Sequence, residues 1–384
     1  MMRAQRIRVY PNKTQQKRID ETLELHRQVY NELLDLRIKT YKETGKTLCR
    51  TELRKHLPKV VGHSIQLRAV SRRLDLAFEA FFRRCKDPIE KKKGFPRHKK
   101  FGKLRSITKD QQLRIKGNLV YFPDIGRLKL TEPVKGKPKT MCLKKEPSGK
   151  YHLTFLSEVE VIPILAPDKA IGIDLGITHA IATSDGQFFD SPKPLKANLA
   201  KLRREQRSFS RKKKGSKNRE KQRIRVARCH EKIADIRQDW THQVSTFLTR
   251  NYRTIVCEEL NIQNMLKNRK LARAISDIGW GCLKQKISYK ASSAGGKLVE
   301  VNPYNTSQLC SACGQLVPKT LNERTHNCQN CGLVLDRDVN AAINILNRGI
   351  GRATPKFKPD REDVRPVHRH GLFSLTQEAY RAIA

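Results

Sequence analysis

Ala170-Ile171-Gly172-Ile173-Asp174-Leu175-Gly176 is a short apolar run carrying a carboxylate near its end, and it reads as a β-strand. Ala180-Ile181-Ala182-Thr183 follows, then Asp185-Gly186, which reads as a hairpin partner with its turn. A long helical stretch is expected from about Leu195 to Asn251, broken near Lys214-Gly215-Ser216-Lys217. Past the break, Ile233, Ile236, Trp240, Val244 and Phe247 recur at i, i+3, i+4 spacing. A buried strand is expected at Thr254-Ile255-Val256-Cys257, ending in Glu258-Glu259.

Toward the C-terminus stand two C-x-x-C pairs, Cys310-Ser311-Ala312-Cys313 and Cys328-Gln329-Asn330-Cys331. Two such turns brought together give the four-thiolate cage that Zn²⁺ prefers, and a closed site of this kind is structural rather than catalytic. Gly314 and Gly332 after the second cysteines allow positive φ, expected to aim backbone N–H groups at the thiolates. A redox dithiol would carry a single pair beside a βαβ unit. Asp336-Arg337-Asp338-Val339-Asn340-Ala341-Ala342 then opens a helix carrying Val339, Ala342, Ile343 and Leu346.

Asp174, Glu258 and Asp338 thus stand at the ends of regular elements. Any one alone reads as a turn or cap former. Together, two carboxylates on strand ends and a third on a helix match the ribonuclease H-like arrangement, in which two Mg²⁺ ions act on a phosphodiester. Sugar kinases and actin-like ATPases share the fold, but their later glycine-rich loops are missing here. The acid order Asp, Glu, Asp departs from cut-and-paste transposases and points to the RuvC-like branch.

The composition supports a nucleic-acid substrate. The 384 residues include 80 Lys+Arg against 37 Asp+Glu, a net charge of +43, with a pI near 10.2. Such a chain calls for a polyanion. A ribosomal or chromatin-like protein with basic tails is disfavoured because the charge is spread through segments with apolar periodicity. Arg211-Lys212-Lys213-Lys214 with Lys217, and Arg68 and Arg72 on a helix from Ser64 to Arg84, are the candidate phosphate contacts. The other cysteines lack pairing rhythm, no run is long enough to span a bilayer, and no signal peptide is evident, so a reducing cytoplasmic, nucleoid-associated location is expected.

In the first half, residues 4 to 10 alternate as a strand, and Thr14 is the expected cap of a helix carrying Ile19, Leu23, His26, Val29, Tyr30 and Leu33. The Ser64 to Arg84 helix has Leu67, Val70, Leu74, Ala77, Phe78, Phe81 and Phe82 as its apolar face. Short alternating runs at 112 to 131 and 139 to 161 predict a small β-barrel or sheet, completed by the opening strand, with the helical region inserted. The fold class expected is therefore α+β multidomain: an N-terminal β-barrel with an inserted helical region, then a RuvC/ribonuclease H-like α/β nuclease domain with an inserted zinc ribbon.

The chain resembles the TnpB/OrfB family of insertion-sequence proteins, related to type V CRISPR effectors. The likeness runs through Gly172-Ile173-Asp174-Leu175-Gly176-Ile177, Val256-Cys257-Glu258-Glu259-Leu260-Asn261, Gly279-Trp280-Gly281, Thr306-Ser307-Gln308-Leu309-Cys310 and Asp336 to Ala342. It covers about 165 to 348 well and the first half only weakly. It implies an RNA-guided DNA endonuclease whose partners are a guide RNA from the transposon end and double-stranded target DNA, with Zn²⁺ and Mg²⁺ as cofactors. It also implies that Glu258 rather than Glu259, and Asp338 rather than Asp336, join Asp174 as catalytic ligands, and that Cys310, Cys313, Cys328 and Cys331 hold the zinc. The expected domains are 1–10 with 86–165 (barrel), 11–85 (helical recognition), 166–305 with 336–350 (nuclease), 306–335 (ribbon) and 351–384 (tail). A monomer without membrane attachment is expected. The competing readings are a catalytically silent RNA-guided DNA-binding repressor and a zinc-ribbon RNA-binding protein.

Overall fold

The computed structural model describes residues 1–351 except 61, 89–92, 161–165 and 321; of the expected tail at 351–384, residues 352–384 lie outside the described residues. The chain divides into two compact units, 1–161 and 162–384.

The first unit opens with β1 (Met2–Val9). Helix α1 (Lys13–Thr44) is capped by Asn12, not Thr14. The Asn12 side chain accepts from the Gln15 N–H at 2.8 Å, while the Gln15 side chain accepts from the Asn12 N–H at 3.0 Å. This reciprocal pair satisfies two N–H donors that a cap at Thr14, two residues later, would leave without these partners. After α2 (Arg50–Lys55) comes α3 (Ser64–Lys86), which buries Leu67, Val70, Leu74 and Phe78. Phe82, expected on that face, is 42% exposed.

Strands β2 (Ser106–Lys109), β3 (Arg114–Lys116), β4 (Leu119–Phe122), β5 (Gly126–Lys129), β6 (Lys137–Lys145) and β7 (Tyr151–Glu158) follow. β1 pairs antiparallel with β7 along its whole length, and α1 to α3 are inserted between β1 and β2, the two edge strands of one sheet. The expected barrel is not formed. The strands make an open sheet in the order β1-β7-β6-β2 and a separate β3-β4-β5 meander, with a bridge between Val9 and Leu130. Four strands are far fewer than the eight or so that close around a filled interior. The helices supply the missing cover: Tyr30, Leu34, Leu67 and Leu74 pack in one core with Ile7, Ile107, Met141, Leu153 and Phe155.

The second unit contains β8 (Ala170–Asp174), β9 (Ile181–Thr183), β10 (Phe188–Phe189), α4 (Pro194–Arg211), α5 (Lys217–Asn251), β11 (Thr254–Glu258), α6 (Ile262–Met265), α7 (Ala272–Ile278), α8 (Trp280–Ser293), β12 (Lys297–Val301), β13 (Thr325–Asn327), β14 (Val334–Asp336) and α9 (Arg337–Gly349). Its main sheet has the order β10-β9-β8-β11-β12. β8, β11 and β12 are parallel and the β8–β9–β10 edge is antiparallel.

The two-residue period of a strand decides what each face meets. Ile171, Ile173, Ile255 and Cys257 share a core with Trp240, Val244 and Leu248 of α5 and Trp280, Leu283 and Ile287 of α8. Phe247, expected in that stripe, is 40% exposed and packs against Phe189 with ring centroids 5.4 Å apart and the rings tilted by 55°. The alternate residues Gly172 and Val256 meet α9. A Cβ on Gly172 would lie 2.0 Å from the Ala342 carbonyl oxygen, and one on Gly349 would lie 2.3 Å from Val256 Cγ1. Two glycines therefore let α9 lie directly on the sheet. Among the described residues, no helix is long and apolar enough to cross a membrane.

Candidate active site and metal centre

The same alternation that points Gly172 and Val256 at α9 carries Asp174 and Glu258 to that face. Ile173 is in register with Cys257, so Asp174 and Glu258 follow side by side on strands about 4.8 Å apart. Asp338 sits in the first turn of α9. Burial, then the charges of Glu258 and Asp338, push the Asp174 carboxyl up to about 8, with Arg337 opposing. Burial also raises the Glu258 carboxyl, and a Thr306 hydrogen bond opposes it. Asp338 is flanked by Arg337 Nε at 3.4 Å and Arg324 Nη1 at 3.7 Å.

Neighbouring acids have other work. The Asp336 carboxylate accepts from the Asp338 and Val339 N–H groups at 2.8 and 3.2 Å, capping α9. Glu259 is exposed, and its N–H donates to the Val301 carbonyl at 2.8 Å. Three hard oxygen donors crowded into one partly buried place fit a divalent cation, whose charge would relieve their repulsion.

The cysteines form a separate centre. Cys310, Cys313, Cys328 and Cys331 bring all four Sγ atoms within 4.8 Å of one another. Cys310–Cys331 and Cys313–Cys328 are each 3.6 Å apart. Tetrahedral ligands about 2.3 Å from a zinc ion would be about 3.8 Å apart, so the residues fit that metal. The two knuckles are built alike: Gly314 and Gly332 have φ of 75° and 76°. Their N–H groups donate to the Cys310 and Cys328 carbonyls at 2.9 and 2.8 Å, and the next N–H groups along the chain, of Gln315 and Leu333, bond to the Cys313 and Cys331 sulfurs, as the sequence implied.

Sequence reading missed the residues joining the two centres. Asn340 accepts from the Ser311 N–H at 2.9 Å and donates to the Leu309 carbonyl at 2.8 Å. Asn344 donates to the Thr306 and Leu309 carbonyls at 2.8 and 2.7 Å. Both lie one turn apart on α9, and their polarity inside an otherwise apolar helix face was the available signal.

The candidate phosphate contacts scatter. Arg211 ends α4, Lys217 begins α5, and Arg211, Lys213, Lys214 and Lys217 are exposed while Lys212 is half-buried. Their corner is fixed by Arg219, which donates to the Phe209 and Lys212 carbonyls at 3.0 and 2.7 Å. Arg211 and Lys212 join Arg203, Arg204 and Arg207 around an open cleft of about 730 Å³. In the first unit, Arg68 is exposed, and Arg72 stands 3.8 Å from Asp110.

A Streptomyces pristinaespiralis protein named "Putative RNA-guided DNA endonuclease" is 35% identical over 405 residues, covering 100% of this chain and 97% of its own. The chain belongs to the TnpB/OrfB family. The Escherichia coli (strain K12) relative InsQ, similarly named, is 32% identical over 297 residues and 72% of each chain. Family profiles described as "Probable transposase", "Cas12f1-like, TNB domain" and "Helix-turn-helix domain" match residues 154–269, 280–345 and 1–46. Residues 1–46 here hold β1 and the single helix α1. The cryo-EM structure of a Cas12f1–sgRNA–target DNA complex shares the fold, with a TM-score of 0.54 at 14% identity, over 90% of this chain and 99% of that one.

Proposed function

We propose that this family member is an RNA-guided DNA endonuclease, with the second unit as its RuvC/ribonuclease H-like nuclease domain, and that Asp174, Glu258 and Asp338 are its catalytic metal ligands. The observation that carries the reading is the convergence of these three carboxylates from β8, β11 and α9 onto one face of the sheet. Guide RNA and target DNA are the partners that match the relatives' names and the +43 charge. Mg²⁺, held by the three acids, would supply an activated water and neutralise charge at the scissile phosphate.

The residues have distinct tasks. Asp174 and Glu258 sit on adjacent rigid strands, which fixes the separation of their donor oxygens. Asp338 depends on the cap formed by Asp336, since the cap sets where the first turn of α9 begins. Arg324 and Arg337 hold the Asp338 carboxylate and limit its rotamers. The ribbon cysteines bind Zn²⁺ as a structural ion and leave no coordination position for chemistry.

The test compares Asp174→Ala, Glu258→Ala and Asp338→Ala with the wild type, each assembled with RNA co-purified from the native locus. Cleavage should fall by at least about a thousandfold in each, while RNA and DNA binding persist. Wild-type protein that binds its guided target without cutting it would favour the repressor reading. Full activity in Asp338→Ala would remove that residue from the ligand set.

A further inference from the structure

We propose that Thr306, at the entry to the cysteine ribbon, is a positioning residue that holds the Glu258 carboxylate in its metal-binding orientation. The inference rests on Glu258 being a ligand of the proposed site. Thr306 is 3% exposed, and its hydroxyl donates to Glu258 Oε1 at 2.5 Å. The Pro303 carbonyl, at 3.1 Å, is the competing acceptor for the same proton. A single hydroxyl proton goes to the nearer, charged oxygen, because charge-assisted bonds are shorter and stronger. One oxygen so held stops rotation of the carboxylate and leaves the other free for a cation.

The threonine is itself clamped. Its N–H donates to the Pro303 carbonyl at 3.4 Å, and its carbonyl accepts from Asn344 Nδ2. Asn344 and Asn340 also hold Leu309 and Ser311, at the foot of the first knuckle. The order of the ribbon is therefore passed through residues 306–311 to Glu258. Groups that orient a ligand in this way typically change metal affinity by 10- to 100-fold when removed.

The experiment titrates Mn²⁺ into full-length protein without nucleic acid, followed by electron paramagnetic resonance. Wild type, Thr306→Val, Thr306→Ser and Asp174→Ala are compared. Thr306→Val keeps the shape and loses the donor, and should weaken Mn²⁺ binding about tenfold or more. Thr306→Ser keeps the donor and should stay within about twofold of wild type by the same reasoning. Wild-type affinity in Thr306→Val, with Asp174→Ala impaired, overturns the inference and spares the acid site. An equal loss in Thr306→Ser also overturns it, because packing and not the hydroxyl would be responsible. Normal binding in Asp174→Ala would remove the acid site itself, and this inference with it.

Discussion

His26 shows how one buried side chain makes the first unit sensitive to acid. It is 1% exposed, and its Nε2 has no partner. Burial, then the charges of His63 and Arg73, lower its pKa to about 4, with a Gln66 hydrogen bond opposing. The unfolded chain takes up a proton near pH 6.5, while the folded chain resists until about pH 4. Stability is therefore complete above pH 6.5 and is lost as pH falls through that window, by on the order of 3 kcal/mol. His26→Leu should flatten this dependence. Urea midpoints followed by far-UV circular dichroism at pH 7 and pH 5 would decide it, and equal slopes for the two proteins would rule out His26 as the cause. At this scale the sequence reveals residue type and periodic position, so His26 was recognisable as core. Its protonation was not, because that depends first on how fully the fold buries the ring and then on His63 and Arg73, 37 and 47 positions away.

At the scale of elements, α4 buries only Pro194 and Leu202. It is held instead at its start, where Asp277 accepts from the Leu195 and Lys196 N–H groups at 2.8 and 2.9 Å. Arg237 Nη2, 3.3 Å from the same carboxylate, fixes the acceptor. An exposed helix with an anchored first turn can present Arg203, Arg207 and Arg211 at steps of about 6 Å along one side. Their common cleft is cationic, which suits a phosphate backbone. Replacing the three by alanine should reduce the slope of log affinity against log salt by about two to three, for guide RNA and DNA alike. Unchanged slopes would mean a solvated face. The break between α4 and α5 was legible from Gly215 and its lysines, since a turn residue is a local signal. The Asp277 cap was not, as it reaches back more than 80 residues.

For the whole molecule, the ribbon's position in the chain would make the proposed zinc ion a stability determinant of the second unit. Thr306 to Asp336 leave the sheet after β12 and return at α9, whose Asn340 and Asn344 grip the ribbon's base. Purified protein should contain one Zn²⁺ per chain. Chelation should raise deuterium uptake across 306–345, since metal binding supplies much of such a module's folding free energy. Peptides from α1 and α3 should keep their protection. Absence of zinc by elemental analysis, or unchanged uptake after chelation, would show that the thiols do not organise this region.

The sequence by itself determined the order of β8, β9, the broken helical stretch of α4 and α5, β11 and α9, the pairing of the cysteines into knuckles, and the placing of carboxylates at the ends of β8 and β11. These follow from spacing and period, which are local properties of the chain. Only the tertiary structure decided that the first unit's strands form two open sheets, because closure depends on strand number and on what the inserted helices cover. Only it assigned Asp336 to the cap of α9, since both acids fit the same local pattern and the family resemblance alone had favoured Asp338 as the ligand. The Thr306–Glu258 bond spans 48 residues, and no periodicity connects such partners until the sheet and α9 have packed together.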